Sequence, residues 1–214
     1  MALTERGVIL DATVFYPTGG GQPGDTGRLD WDGGSAEVVD TVAEAGGAIV
    51  HVLAEGAAAP EPGTEVRAEI DFDRRHRLMR MHTCLHLLSA VLPYPVTGGQ
   101  VGDGAGRLDF DLPDSPDKAQ VEAELNRLIS EDHPVGERWI TDEELDAQPE
   151  LVKTLSVKPP RGAGRIRLLE IPGVDLQPCG GTHVKRTGEI GAVRVVKIEK
   201  KGRMNRRIKL ELQS

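Results

Sequence analysis

Cysteine is scarce in this chain of 214 residues, which contains only Cys84 and Cys179. Two cysteines cannot supply the several crosslinks on which small secreted domains depend. Nothing in the sequence therefore suggests a disulfide framework, and the composition indicates a protein of the reducing cytosol. The length is sufficient for one large or two small domains, each able to bury a core.

Long apolar stretches are also lacking. No run of apolar residues approaches the roughly 20 residues that a membrane-spanning helix requires. Residues 1–7 contain a charged pair, Glu5 and Arg6, and no apolar core of a secretory signal. We therefore expect a soluble, cytoplasmic protein with no membrane partner.

Positive charge is outnumbered overall, with 26 Lys and Arg against 34 Asp and Glu, for a net charge of −8. That balance alone argues against a nucleic-acid binder. Basic residues nevertheless concentrate between positions 185 and 209, where the only acidic residues are Glu189 and Glu199. A local basic patch indicates nucleic-acid binding better than the total charge does. The alternative is that these are solvated strand and turn residues.

Two histidines lie one helical turn apart at His82 and His86. The apolar residues around them recur at helical spacing, so both imidazoles project from one face of one helix, which we predict over residues 73–92. Four residues is the spacing at which two histidines can chelate one metal ion. Pro93 and Pro95 follow, and proline cannot continue a helix.

A second pair of potential ligands, Cys179 and His183, flanks a Gly-Gly pair far downstream. Together the two pairs fit a zinc site with one thiolate and three imidazoles. Cys84 is predicted to be a core residue, because it lies roughly 200° around the helix from His82. Thr83 stands where zinc peptidases carry a general-base glutamate, which disfavours that class of enzyme.

Read together, these motifs resemble a known family. The His-x-x-x-His helix followed by Cys-Gly-Gly-Thr-His is similar to the editing domain of alanyl-tRNA synthetases and its freestanding relatives, the AlaX proteins. The glycine-rich run at 15–27 resembles the motif in the small domain that precedes the editing domain. The basic run at 201–208 resembles the hairpin near the family's C-terminus. The resemblance covers residues 8–212, and it corresponds to the longer form of the freestanding proteins.

The resemblance implies an activity and a site. It implies a hydrolase that removes serine or glycine wrongly attached to alanine tRNA, with one Zn²⁺ held by His82, His86, Cys179 and His183. The partner would be the tRNA(Ala) acceptor end, and no nucleotide cofactor is expected. The candidates for substrate contact or catalysis are Thr97, Gln100, Asp103, Gln22 and Asp25. The candidates for tRNA binding are Lys201, Arg203, Asn205, Arg206 and Arg207.

The patterning predicts an α+β protein of two domains. Short β-type runs separated by glycine turns predict a small β-barrel-like domain over residues 1–71 that carries the glycine-rich motif. These runs are 8–10, 13–15, 28–31, 36–42, 48–53 and 65–70. The motif at 19–25 lacks the ending of a P-loop, so we interpret it as a loop folded over the neighbouring active site.

Residues 72–214 are predicted to form the zinc-containing editing domain, with helices packed on an antiparallel sheet. A glycine-rich loop at 97–106 should follow the first helix. Ser115 should cap a second helix with Pro116 at its first position, and Thr141 with Glu144 should form a capping box. The predicted strands are 107–112, 134–140, 165–171, 192–198 and 207–212, of which the last two form a hairpin.

Two further functions are compatible with these residues. One is a zinc-stabilised tRNA-binding module without catalysis, accessory to a synthetase. The other is a metallohydrolase acting on a small ester or amide, in which the basic hairpin could be neutralised without loss of turnover. The isolated histidines His51 and His76 are interpreted as ordinary polar residues outside the site.

Overall fold

The computed structural model describes residues 2–4, 6–155 and 164–213. It confirms an α+β protein in which antiparallel sheets dominate and helices are few. The chain divides between His76 and Arg77 into two compact units. A domain boundary after residue 71 remains a prediction, and the compact units divide slightly further along the chain.

The first unit contains one antiparallel sheet with the strand order β1-β2-β5-β4-β3-β6. The strands are β1 (Ala2–Thr4), β2 (Gly7–Ile9), β3 (Gly27–Trp31), β4 (Gly34–Ala43), β5 (Ile49–Leu53) and β6 (Arg67–Ile70). Among the described residues this sheet does not close, because β1 and β6 each pair on one side only. The expected barrel is therefore not confirmed.

The run at 13–15 was predicted to be a strand, and it is irregular instead. Two of its polar groups make hydrogen bonds that do not belong to a β-sheet. The amide of Phe15 donates to the Thr13 hydroxyl at 3.1 Å, and that hydroxyl lies 2.7 Å from His51 Nε2. The apolar pattern was nonetheless informative, because Phe15 is buried in the core of this unit.

Helix α1 (Phe72–Val91) matches the predicted helix to within one residue at each end. The second half of the helix is buried on nearly all sides, because every residue from Met81 to Ser89 is buried. Such burial explains why the helix tolerates few charges in this half. The helix ends directly before the Pro93 to Pro95 segment, as expected.

The second unit builds two further antiparallel sheets, ordered β11-β10-β9 and β12-β13-β8-β7. The strands are β7 (Val96–Val101), β8 (Ala105–Asp111), β9 (Gly136–Ile140), β10 (Ile166–Ile171), β11 (Asp175–Pro178), β12 (Val193–Lys200) and β13 (Asn205–Leu212). The other helices are α2 (Lys118–Ser130) and α3 (Asp142–Asp146), with 3-10 turns at Pro149–Leu151 and Thr187–Ile190. The predicted β12–β13 hairpin is confirmed.

The main core of this unit lies between α1, α2 and the four-stranded sheet, and it also takes in Leu169 and Ile171 of β10. A smaller cluster around Ile140, Leu145 and Leu168 covers the other face of the three-stranded sheet. The three-stranded sheet therefore has apolar contacts on both faces, and one of these faces is directed towards α1.

The prediction of a loop over 97–106 was wrong, because most of this segment forms the strands β7 and β8. Glycine is depleted in strands in general, so a run with several glycines favours a loop on sequence alone. Here it permits close packing on α1: a Cβ added at Gly106 would lie 2.6 Å from Met81 Sδ. A side chain at Gly106 would therefore force the buried Met81 side chain of α1 to move.

Helix α2 begins two residues later than predicted. Its N-cap is Asp117, whose carboxylate accepts from the Gln120 amide at 2.8 Å, and Ser115 with Pro116 precedes the cap. A carboxylate near the first-turn amides also interacts favourably with the helix dipole, which favours Asp117 over the more distant serine. The capping box of Thr141 and Glu144 is confirmed at α3.

None of the helices in the described part of the chain has the length and apolarity needed to cross a membrane.

The Asp25–Arg75 ion pair should support the stability of the first unit. Arg75 Nε lies 2.8 Å from Asp25 Oδ1, and the side chains are 14% and 1% exposed respectively. Removing one partner of a buried pair leaves an uncompensated charge. Asp25→Asn should lower the free energy of unfolding by about 3 kcal/mol. Urea unfolding followed through Trp31 fluorescence, in a Trp139→Phe background, measures it.

The matched control is Asp30→Asn, which removes a much more exposed pair with Arg28 in the same unit. Exposed pairs contribute little, so this change should cost less than about 1 kcal/mol. Equal effects of the two substitutions would show that the Asp25 pair has no special structural role.

Candidate metal centre and substrate site

Four potential ligands converge in the second unit. One ligand atom from each of His82, His86, Cys179 and His183 lies within 4.8 Å of each of the others. The two histidines of α1 come from successive turns of a buried helix. Cys179 and His183 belong to the segment that follows β11, and they are partly exposed, whereas the α1 histidines are buried.

The spacing of these atoms fits a tetrahedral metal ion. Cys179 Sγ lies 3.2 Å from His183 Nε2 and 3.6 Å from His82 Nε2. Typical zinc–sulfur and zinc–nitrogen bond lengths place two ligand atoms of a tetrahedral site about 3.5 Å apart. The ring centroids of His82 and His183 are 4.4 Å apart, and those of His86 and His183 are 5.0 Å apart. The donor set and its compactness therefore make this a possible metal site.

A buried carboxylate orients His86. Asp175 Oδ2 lies 2.9 Å from His86 Nδ1, and Gln177 Nε2 donates to the same oxygen at 2.7 Å. Lys153 Nζ lies 2.5 Å from Asp175 Oδ1 and balances its charge. Gln177 also donates to Ser89 Oγ on α1 at 2.8 Å. Because the carboxylate binds Nδ1, the Nε2 atom of His86 is the one available to a metal.

The Thr83 hydroxyl orients His183 in a similar way. It donates its single proton to the Met79 carbonyl at 2.9 Å, one turn earlier in α1. It must therefore accept from its other neighbours, which are the Val184 amide at 3.3 Å and His183 Nδ1 at 3.2 Å. This arrangement places the His183 proton on Nδ1 and leaves Nε2 without one, as a metal ligand requires.

The charges of these side chains depend on one another, and His86 must lose a proton before its ring can bind a metal ion. Burial opposes a charge on Cys179, but the imidazoles of His86 and His82 outweigh it and hold the pKa of the thiol far below its usual value. Burial likewise lowers the pKa of His86, and the Cys179 thiolate and the Asp175 carboxylate outweigh it and raise that pKa to about 9. Burial and repulsion from His82 lower the pKa of His183 to about 3.

Cys84 lies in the core, as predicted from its position on the helix. Burial raises the pKa of its thiol to about 12. A thiol in such surroundings stays protonated, so Cys84 is neither a ligand nor a nucleophile.

Sequence reasoning missed Asp175, Gln177 and the supporting role of Thr83. The only available signal was the presence of polar residues among apolar ones, since Asp175 and Gln177 alternate with Leu176 and precede Cys179. Alternating polar residues are more common on solvent-exposed strands, so this signal pointed to the surface and not to a buried network.

The three candidates for substrate contact in the second unit lie on the β7–β8 hairpin. The Thr97 hydroxyl donates to the Asp109 carbonyl at 3.2 Å and accepts from Asn205 Nδ2 at 3.0 Å. Gln100 is exposed, with Oε1 at 3.3 Å from Arg107 Nε. Asp103 is exposed and forms an ion pair with Arg77 of α1. Contact of these residues with substrate remains a prediction.

Gln22 and Asp25 of the glycine-rich motif are both buried within the first unit. Asp25 accepts hydrogen bonds from the Tyr16 amide at 2.6 Å and from Arg75. Its carboxylate therefore has a structural task in this unit. A role of the two residues in substrate binding stays a prediction.

Fewer basic side chains of the β12–β13 hairpin are free to contact tRNA than the sequence indicated. Arg206 is 4% exposed and donates to backbone carbonyls, including that of Gly202 at 3.0 Å. Arg207 binds both oxygens of Asp109 at 2.8 Å. Asn205 is engaged by Thr97. Among the five predicted tRNA contacts, the exposed side chains are those of Lys201 and Arg203.

Comparison with known proteins agrees with this fold and this cluster. Residues 166–209 match the family model described as the threonyl and alanyl tRNA synthetase second additional domain. Residues 1–74 match the model of class II (A) tRNA synthetases. The first match includes both ligands contributed by the segment after β11. Fold and cluster together thus define a domain of the class that accompanies these synthetases.

Whole-chain relatives narrow this class. The alanyl-tRNA editing protein AlaX-M of Methanosarcina acetivorans is 39% identical, over 95% of this chain and 88% of its own length. The AlaX-M protein of Methanosarcina barkeri is 38% identical over the same shares. The alanine–tRNA ligase of Pyrobaculum aerophilum is 40% identical over 90% of this chain, which spans 22% of that enzyme. The chain belongs to the family of AlaX-type alanyl-tRNA editing proteins.

Removing the Asp175 carboxylate should weaken metal binding without removing a ligand. In Asp175→Asn, the amide can donate a hydrogen bond to His86 Nδ1 and favour the wrong tautomer. Loss of such a supporting carboxylate typically lowers metal affinity 10- to 100-fold. Titration with Co²⁺, followed through its thiolate absorption band and competed with a chelator, measures the affinity.

Asp114→Asn is the matched control, because Asp114 is exposed and lies outside the cluster. It should leave the Co²⁺ affinity unchanged. An unchanged affinity in Asp175→Asn as well would show that the carboxylate does not orient a ligand.

Proposed function

We propose that this chain is a trans-editing hydrolase that cleaves the aminoacyl ester of mischarged alanine tRNA. The proposed substrates are Ser-tRNA(Ala) and Gly-tRNA(Ala). The observation that carries the proposal is the compact cluster of three histidines and one cysteine, in a chain that aligns along nearly its whole length with alanyl-tRNA editing proteins. Because the chain matches 88% of the length of an AlaX-M editing protein, we infer that it acts on tRNA charged by another enzyme.

The need for such an activity is physical. A synthetase pocket that accepts alanine cannot strongly reject serine, which adds one hydroxyl, or glycine, which lacks one methyl group. Discrimination by binding alone is therefore insufficient, and a second site must hydrolyse the wrong products. A freestanding protein can provide that site.

We infer that the ion is Zn²⁺, held by His82, His86, Cys179 and His183. One thiolate and three neutral imidazoles form a donor set that suits zinc in its preferred tetrahedral geometry. When bound, zinc supplies positive charge that can polarise the ester or anchor the amino group and terminal ribose of the substrate. Asp175 and Thr83 orient the two imidazoles that they contact. The partly exposed Cys179 and His183 lie on the side from which a substrate can approach.

The exposed side chains of Lys201 and Arg203 are the hairpin residues best placed to contact the tRNA backbone. Lys201 makes an exposed ion pair with Glu199 at 3.5 Å, a weaker contact than the two hydrogen bonds that Arg207 makes with Asp109. The net charge of −8 then limits tRNA binding to local basic surfaces, which favours specific docking over general attraction.

A deacylation time course tests the proposal directly. Zinc-loaded protein is incubated with alanine tRNA carrying serine, glycine or alanine, and the remaining ester is measured. The serine ester should disappear while the alanine ester survives. Cys179→Ala should lose the activity, because it removes the only thiolate ligand. Cys84→Ala is the matched control and should stay active, although loss of buried volume will reduce its stability.

Two outcomes would contradict the proposal. If all three esters survive while the tRNA binds, the protein is a zinc-stabilised binding module. The second outcome is hydrolysis of a small ester while aminoacyl-tRNA is untouched. If neutralising Lys201 and Arg203 leaves the rate of that hydrolysis unchanged, the protein is a metallohydrolase of another class.

We further propose that Thr97 recognises the serine hydroxyl. Its oxygen has two acceptor positions, of which the Asn205 amide occupies one. The other can accept a hydrogen bond from serine, which alanine cannot donate. Thr97→Val should therefore reduce the serine-over-alanine preference about tenfold, the effect of one hydrogen bond of about 1.4 kcal/mol. The ratio of kcat/KM for the two esters measures the preference.

Thr97→Ser is the control, because it retains the hydroxyl and should retain the preference. An unchanged ratio in Thr97→Val would assign serine recognition to another residue.

A further inference from the structure

An exposed tryptophan lies in register with the cysteine of the metal cluster. In the β9–β10 ladder Trp139 is the direct partner of Arg167. In the β10–β11 ladder Leu168 pairs with Pro178, and the Cys179 amide donates to the Arg167 carbonyl at 3.1 Å. Cys179, Arg167 and Trp139 therefore form one row across three neighbouring strands.

The side chains of this row lie on the face of the sheet that carries the metal cluster. Directly paired residues share a face, and alternate residues along a strand return to it. Asp175 and Gln177 are on the same face as Cys179, and they contact His86 and Ser89 of α1. Glu137 Oε1 lies 2.8 Å from the Arg167 guanidinium, which places β9 side chains on this face too.

One end of this face is covered and the other is open. Leu169 and Ile171 of β10 are fully buried in the core next to α1. Trp139, in contrast, is 53% exposed on β9. The chain contains only two tryptophans, so an exposed one on the same face as the cluster is a notable feature. Arg167 lies between Trp139 and Cys179 in the row. It donates a hydrogen bond to the Gly181 carbonyl at 2.7 Å and so stabilises the loop that follows Cys179.

We propose that Trp139 is a stacking platform for the terminal adenine of the aminoacyl-tRNA, an inference that rests on the proposed function. The scissile ester is carried by the ribose of the terminal adenosine of tRNA, so the adenine is separated from the ester by this one ribose. Two strand spacings separate Trp139 from Cys179, which is ~10 Å. An exposed indole at that distance offers the flat aromatic surface on which unpaired bases stack.

The platform explains how a small site can hold any tRNA end without reading much of the tRNA. Stacking is tolerant of sequence and contributes to binding, while the chemistry stays at the cluster. Trp139→Ala should therefore raise the KM for Ser-tRNA(Ala) about tenfold and change kcat less than about twofold. Trp139→Phe, which retains a ring, should recover most of the loss.

Fluorescence provides a readout that does not depend on activity. In a Trp31→Phe background Trp139 is the only tryptophan, and adenosine 5′-monophosphate should quench its emission in a saturable way. Co²⁺ titration of Trp139→Ala should show the wild-type affinity, because the residue is not part of the ligand network. Because Trp139 is exposed, the variant should fold normally, and circular dichroism checks this.

The outcomes separate the two proposals. If the wild-type protein hydrolyses Ser-tRNA(Ala) but Trp139→Ala has the same KM, the platform is wrong and the proposed function stands. If the wild-type protein hydrolyses no ester, the proposed function fails, and absence of quenching then overturns the platform as well. If Trp139→Ala changes only the elution volume in gel filtration, the residue belongs to a contact between protein chains and the platform is overturned.

Discussion

The second unit depends on the packing of α1 against the segment that follows β11. Nine consecutive residues of this helix, Met81 to Ser89, are buried, and both histidine ligands lie within that stretch. Gly106 allows the helix to approach β8 closely on another side. Because apolar contacts hold the helix in place, His82 and His86 face Cys179 and His183 without the need for a large rearrangement.

Burying so many polar groups together is costly unless each has a partner. The structure meets this condition with a second layer of contacts around the ligands. Asp175 links His86 to Lys153 and Gln177, and Thr83 links His183 to the backbone of α1 and of Val184. This layer sets which imidazole nitrogen faces the cluster, so its removal would disturb the site even with every ligand present.

The basic C-terminal hairpin shows how a charge pattern can combine structural and functional roles. Arg206 and Arg207 stabilise the turn and the sheet through carbonyl and carboxylate contacts. Lys201 and Arg203 stay exposed. Residue type alone cannot separate these roles, because an arginine that binds phosphate and one that binds Asp109 look identical in the sequence.

The sequence by itself determined α1, the ligand pairs, the capping box at α3 and the β12–β13 hairpin, since each depends on local periodicity or on a short motif. It did not predict the β7 strand, where close packing on a helix overrides the low strand preference of glycine, or the open sheet of the first unit. Tertiary structure alone decided that Asp175 meets His86 and that Trp139 lies in line with Cys179. Those contacts join residues far apart in the chain, and strand register, which local sequence specifies weakly, brings them together.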